Sequence, residues 1–363
     1  MPLTRLTLLV PELLRPDPGD DALDGLVCPA LTALFERGRL TRRPPEAPET
    51  VLMGLFGHAP GTARAAFRLR GESEVPADAA TARWLAADPV HLRLDGERLI
   101  LTGGDALDIA AEEAAALIDA LNGYFADSGV FRAARAERWY LRLAAGKDRG
   151  ALERLDAPPT AAVAGRGVER SLLKIVEHRE ILKLINEIQT FLHAHPVNRR
   201  REENDQAPIN SLWLWGGGMP PRAPAATDFD AVLSADALAR GLARAAGLPV
   251  CPPPEEADAL FARAVGACPL VALGGPSGAL HHGNAADYRR DLAALETRWF
   301  APAWRALAAG AIGRLRLVAP TAHGTLILDA GRAAARPAWR FWRRPRTLAA
   351  AARALAASAG EAA

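Results

Sequence analysis

The sequence predicts an α/β protein, a layered sandwich with a mostly parallel sheet and a small inserted α/β unit. Three observations carry this. Strand, turn and helix recur along most of the 363 residues. Buried-type apolar runs around Leu212, Leu270 and Leu317 each leave into a turn bearing glycine or histidine. Between residues 73 and 155 the texture changes to short alternating runs around Asp95-Gly96, a strong two-residue hairpin signal.

Leu3 to Val10 reads as a first, central strand, and Ala22 to Arg37 as a helix with Leu23, Leu26, Leu31 and Leu34 inward. ETVLMGLFGHAPG, residues 49–61, places Gly54 and Gly57 among bulky apolar residues and suits a helix or strand packed close to a neighbour. The inserted unit, 73–155, holds the hairpin, an acidic helix over Ala110 to Phe125 and a strand over Arg138 to Leu143. The Pro- and Ala-rich stretch Asp156 to Gly165 bounds it. The core is then 1–72 with 160–330, and 331–363 forms a basic, aromatic tail.

From Arg170 to His193 apolar residues recur every three to four positions, the pattern of an amphipathic helix. Pro196 is expected to stop it near His195, leaving Asn198 and Arg201 in a loop. Next comes PINSLWLWGGGMPP, residues 208–221, around which the chain is organised. Its apolar centre is too short for an ordinary helix and reads as a buried strand, and Gly216, Gly217 and Gly218 force a turn that brings backbone close to a neighbour or ligand. After it, Ala231 to Ala246 reads as a helix and Leu270 to Leu273 as a strand. The turn GGPSGALHHGNAADY, a helix bearing Leu292, Trp299 and Leu307, the strand Leu315 to Ala319 and the turn PTAHG complete the series.

Composition narrows the function classes. The chain is 50% hydrophobic and 24% charged, as expected of a globular protein with a large core. The apolar run Leu6 to Val10 is too short for a signal segment or membrane span. Cys28, Cys251 and Cys268 lack metal-type spacing and fit free thiols in a reducing cytoplasm. Phosphate-loop and dinucleotide-binding glycine spacings are absent. Ser277, His281 or His282 and Asp287 lack the Gly-x-Ser-x-Gly elbow of a serine hydrolase.

HPVN with Arg201 before NSLWLWGGG, the turn Pro276 to His281 and the strand ending in Thr321-Ala322-His323 together resemble the archaeal-type cofactor-independent phosphoglycerate mutases of the alkaline phosphatase superfamily. NSLWLWGGG with NEIQ and HAHPVN is more closely similar to the RpfE-type regulatory proteins. The resemblance implies an alkaline-phosphatase-like three-layer sandwich and, for the mutases, a two-metal site with a serine that takes the phosphoryl group. The pattern departs from that chemistry. Leu9, Val10 and Pro11 stand where the first strand of a mutase ends in a metal-binding aspartate, with Glu12 the nearest carboxylate. Pro48 and Leu52 occupy the positions of the nucleophilic serine and a ligand histidine. Ser277 and Ala322 replace ligand aspartates, while His281 and His323 survive.

The expectation is therefore a non-catalytic regulatory or ligand-sensing protein on a degenerate mutase fold, with no catalytic residue and no cofactor. The alternative is a metal-dependent mutase or phosphatase using an altered site at Glu12, His281 and His323, and a single divalent ion at His281 and His323 is weighed with it. Asn198, Arg201, Asn210, the glycines 216, 217 and 218, His281 and His323 are the ligand-binding candidates. A guanidinium beside glycine N–H groups suits an anionic small molecule, whereas Arg199 to Glu203 also reads as a self-paired solvated loop. In the tail, seven arginines face one glutamate from Gly331 to Ala363. RPAWRFWRRPR, residues 336–346, suits a protein or an anionic membrane surface, or packs back as a strap. No recognised nucleic-acid module accompanies it.

Overall fold

The parallel sheet is present, and its strands come from both ends of the chain. A computed structural model describes residues 3–14, 23–59, 61–144, 150–153, 155, 157–165, 168, 178–218, 226–263, 266–276, 285–321, 324–335, 347–350 and 352–353. In chain order the described strands are β1 (Leu3–Leu9), β2 (Arg39–Arg43), β3 (Trp84–Asp95), β4 (Arg98–Gly103), β5 (Gly129–Arg135), β6 (Arg138–Leu143), β7 (Ser211–Trp215), β8 (Ala231–Ser234), β9 (Val250–Cys251), β10 (Pro269–Ala272), β11 (Ile312–Thr321) and β12 (Gly324–Gly331). The chain divides into two units, Met1–Phe56 with Ala226–Ala363, and Gly57–Ala225.

The first unit holds a seven-stranded sheet in the order β2-β12-β11-β1-β10-β8-β9, with β1 in the middle as expected. From β11 to β9 every pairing is parallel, and β12 and β2 add antiparallel pairings at one side. Leu6, Leu8 and Val10 enter one core with Val271, Leu315 and Leu317, whereas Thr7 and Leu9, alternate along the same strand, are buried but outside that core. Burial on both faces explains the near-continuous apolar runs. The expected helix over 231–246 begins instead with β8, and Asp236 caps the shorter helix Ala237–Ala245 by accepting from Ala239 N–H at 2.8 Å. Ala231 to Ser234 is an apolar run with its own partners, Pro269 to Ala272, and pairing decides its conformation.

On one face, helix Pro29–Arg37 packs beside the π-helical turn Glu296–Phe300 and Ala301–Ala309, which the turn joins to Ala285–Leu295. Cys28 offers helix Pro29–Arg37 no side-chain cap. Glu296, 5% exposed, caps it from across the core, accepting from Ala30 N–H at 2.7 Å and Leu31 N–H at 3.1 Å. Burial raises the Glu296 pKa, the two backbone hydrogen bonds opposing it. The Cys28 thiol, pushed up to about 12 by burial and then by Glu296, stays protonated.

Of the expected tail, residues 336–346 lie outside the described residues. Beyond them Leu348, Ala349 and Ala352 join the same core, and Arg353 pairs with Asp24 at 3.0 Å.

The second unit, Gly57–Ala225, holds a five-stranded antiparallel sheet in which β4, β3, β6 and β5 follow one another and β7 pairs with the middle of β3, from Ala86↔Trp215 to Val90↔Ser211. The hairpin turn lies at Asp95-Gly96, with Gly96 at φ 61. The expected insert, 73–155, is shorter than this unit, Gly57–Ala225, and on the carboxyl-terminal side β7 pairs with β3 while the helix Arg179–His193 packs on β7. Continuous apolar character marks Leu212 to Trp215 as buried but does not choose the sheet.

Glu296 makes a pH test. Above its ordinary value of 4.5 and up to its raised folded-state value, the folded chain holds a proton that the unfolded chain has released, so stability is lost as pH rises through that window. Thermal unfolding of the wild type from about pH 4 upward should show this loss, and Glu296→Gln should give a flatter profile. Parallel profiles would show that another group is responsible.

Candidate functional site

Two places collect the sequence candidates, one in each unit. In the first unit, the pairing Leu9↔Ala272 levels the carboxyl ends of β1 and β10, and Leu9↔Val318 places β11 beside them, running on to Thr321. Sites gather at such an edge in parallel sheets. Leu9 and Val10 are 3% and 0% exposed, and Val10 N–H donates to Val318 O at 2.9 Å. The chain then turns at Glu12, which has φ 51, left-handed backbone that is uncommon for a side chain other than glycine. Glu12 N–H donates to Pro320 O at 2.8 Å, and a Cβ at Gly275 would overlap the Pro11 carbonyl.

At the neighbouring strand end Thr321, 5% exposed, donates to Gly324 O at 2.8 Å. Pro48 and Leu52 lie on the helix Pro48–Leu55, with Leu52 4% exposed. Ser277, His281, His282, Ala322 and His323 lie outside the described residues. Among the described residues no group of three His, Cys, Asp or Glu side chains could hold a metal ion.

In the second unit, Pro196 does not lead into a loop. It opens a new helix, Pro196–Glu203, in the first-turn position where its missing N–H is harmless, with His195 as cap. Asn198 and Arg201 are each 1% exposed. Asn198 donates to Leu192 O and Ile209 O, both at 2.8 Å, and accepts from Ile209 N–H at 2.7 Å. Arg201 donates to Ala207 O at 2.9 Å, Glu113 Oε2 at 2.6 Å, Asp108 O at 3.3 Å and Leu107 O at 2.5 Å. Asn210 exchanges two bonds with the Leu92 backbone and so prolongs the β3–β7 ladder. The Gly216 carbonyl accepts from Ala65 N–H at 2.9 Å. At φ 67 a Cβ on Gly216 would lie 3.0 Å from Ala65 N, and Gly218 also has positive φ, 125. Gly217 follows Gly216 in the same turn. These residues join the helices to β7.

The strongest polar cluster was not among the candidates. Arg68 lies between the rings of Tyr140 and Trp215, 4.6 and 4.7 Å from their centroids, and forks onto Asp88 at 2.7 and 2.9 Å. Asp88 also accepts from Thr160 Oγ1 at 2.7 Å and Trp215 Nε1 at 2.8 Å. Glu72, 1% exposed, accepts from Tyr140 at 2.8 Å and from Arg138 at 2.9 and 2.8 Å. Burial alone would lower the Arg68 pKa, but Asp88 and the neighbouring acids reverse this and keep it charged. Burial, the largest influence, raises the Tyr140 pKa, with Arg68 opposing and Glu72 adding to the rise.

No family model matches the chain. It is 28% identical over 236 residues to the 2,3-bisphosphoglycerate-independent phosphoglycerate mutase of Methanosarcina mazei, covering 61% of this chain and 57% of that protein. The chain resembles the cofactor-independent phosphoglycerate mutases. A probable mutase of the same name from Geobacter sulfurreducens is 36% identical over 96 residues, 25% of this chain and 24% of that one. The chain thus matches less than two thirds of either relative's length. The PH0037 protein from Pyrococcus horikoshii shares the fold, with a TM-score of 0.54 at 16% identity over 91% of this chain and 88% of that one.

Asp88→Ala is expected to destabilise the second unit by about 3–5 kcal/mol, because it leaves Arg68 buried without its counter-charge. Urea unfolding measures this, and the double variant Arg68→Met, Asp88→Leu should recover part of the loss. A cost under about 1 kcal/mol for Asp88→Ala would show that the pair is not an electrostatic anchor.

Proposed function

We propose that this protein is a non-catalytic member of the phosphoglycerate mutase-like group, serving a regulatory or ligand-sensing role of the RpfE type. The observation that carries this reading is the end of β1. Where the mutase pattern asks for a metal-binding aspartate, Leu9 and Val10 are packed into the core and followed by Pro11. A carboxylate at those positions would be buried among apolar neighbours, at a cost of several kcal/mol by order of magnitude. Leu52, where the pattern asks for a catalytic or ligand side chain, is likewise buried. Two-metal phosphoryl transfer needs hard oxygen ligands around both ions, and these positions supply none.

A second reading is a metal-dependent mutase or phosphatase with an altered site. The left-handed backbone at Glu12 favours it, since unusual φ values cluster where a side chain must be aimed. His281 and His323 are the partners that reading requires.

Purified protein is expected to interconvert 2- and 3-phosphoglycerate negligibly, with or without Mn²⁺, and to carry no stoichiometric metal by elemental analysis. Two equivalents of Mn or Zn, together with turnover abolished by His323→Ala, would replace the first reading with the second.

A further inference from the structure

The second unit carries a groove of about 760 Å³ along the outer side of the helix Arg179–His193. It is an open groove, closed on one side by Tyr124 and otherwise lined by the exposed face of that helix and the residues that follow it. One end is aromatic. Tyr124, Phe191 and His195 line it, with the Tyr124 and Phe191 rings 5.1 Å apart and those of Phe191 and His195 6.0 Å apart. Phe125, 4.8 Å from Tyr124 and 5.7 Å from Phe191, backs the cluster. Tyr124 is 68% exposed, although such a ring is ordinarily covered. Towards the other end stand Arg179 and Lys183, with Leu182 between them.

The spacing is defined by the helix. Lys183 precedes Phe191 by eight residues, about 12 Å at 1.5 Å per residue. Lys183 is 78% exposed at its side chain and only loosely engaged by Glu187 at 3.7 Å, a pair on the surface that is easily exchanged. At the aromatic end His195 Nδ1 accepts from Val197 N–H at 3.2 Å, which leaves Nε2–H as the ring's donor when the imidazole is neutral. Burial, then Arg200 and Arg199, lowers the His195 pKa, so the neutral form prevails and the two arginines add positive potential to this end.

We propose that the groove binds a planar aromatic anion of the nucleotide class, its ring on Tyr124 and Phe191 and its phosphates at Arg179 and Lys183. An exposed aromatic face stacks any base without reading its identity, and ammonium and guanidinium groups one ring-to-phosphate span away supply the charge. Occupation requires no catalytic group, so it holds for either reading of the enzymatic question.

Calorimetric titration of the full chain with adenosine 5′-triphosphate, beside adenosine and inorganic tripolyphosphate, tests this. One site is expected for the nucleotide, with each fragment at least tenfold weaker. Tyr124→Ala should weaken nucleotide and adenosine binding at least fivefold and leave tripolyphosphate unchanged. Lys183→Glu should weaken nucleotide and tripolyphosphate to a similar degree and leave adenosine unchanged. Both side chains are exposed, and circular dichroism would confirm that the variants fold. No heat at millimolar nucleotide, or wild-type affinity in both variants, would overturn the assignment. Tighter binding of poly-glutamate than of nucleotide would also overturn it, in favour of an acidic protein partner.

Discussion

Burial of β1 on both faces is the constraint on which the first unit depends. The strand lies between β11 and β10 in the middle of seven, and from Leu6 to Leu9 every side chain along it is buried, whichever face it points to. Leu6, Leu8 and Val10 serve one face, and Thr7 and Leu9 the other. The same requirement reaches the carboxyl edge, where a parallel sheet ordinarily begins its chemistry. Here apolar packing continues through Val10 and the chain turns only at Pro11 and Glu12. The fold keeps the edge and fills its first position with hydrocarbon.

The second unit depends on an opposite solution. Its sheet is antiparallel, and an ionic cluster at Arg68, Asp88 and Glu72 sits where β3, β6 and β7 meet. Such a cluster is costly to desolvate unless nearly every lone pair finds a donor. The four hydrogen bonds to Asp88, from Arg68, Thr160 and Trp215, meet that demand, and the flanking rings of Tyr140 and Trp215 shield the guanidinium from water.

Much of the architecture was legible in sequence because it is periodic. The central strand, the Asp95-Gly96 hairpin, the acidic helix and the mostly parallel sheet follow from apolar spacing and turn chemistry. What escaped is non-local. The Leu212 to Trp215 run is buried as read, yet only its pairing with Ala86 to Val90 places it in the antiparallel sheet. Arg201 looks like a solvated loop arginine beside Arg199 and Arg200, and only acceptors around residues 107 to 113 and Ala207 bury it. Asp88 sits in an alternating strand with no local sign that Arg68, Thr160 and Trp215 converge on it. The triple glycine was a true signal of close backbone approach, and its neighbour is the helix at Ala65.

The interrupted connectivity of the first unit bears on how the chain is made. Leu9 has no parallel partner until Ala272 and Val318 have left the ribosome, whereas every strand of the second sheet lies within one continuous stretch. Vectorial synthesis therefore lets the internal unit fold while β1, an apolar strand with both edges unpaired, waits. Chaperone dependence during translation should concentrate in that interval, on a segment that is among the most protected from solvent once the chain is finished.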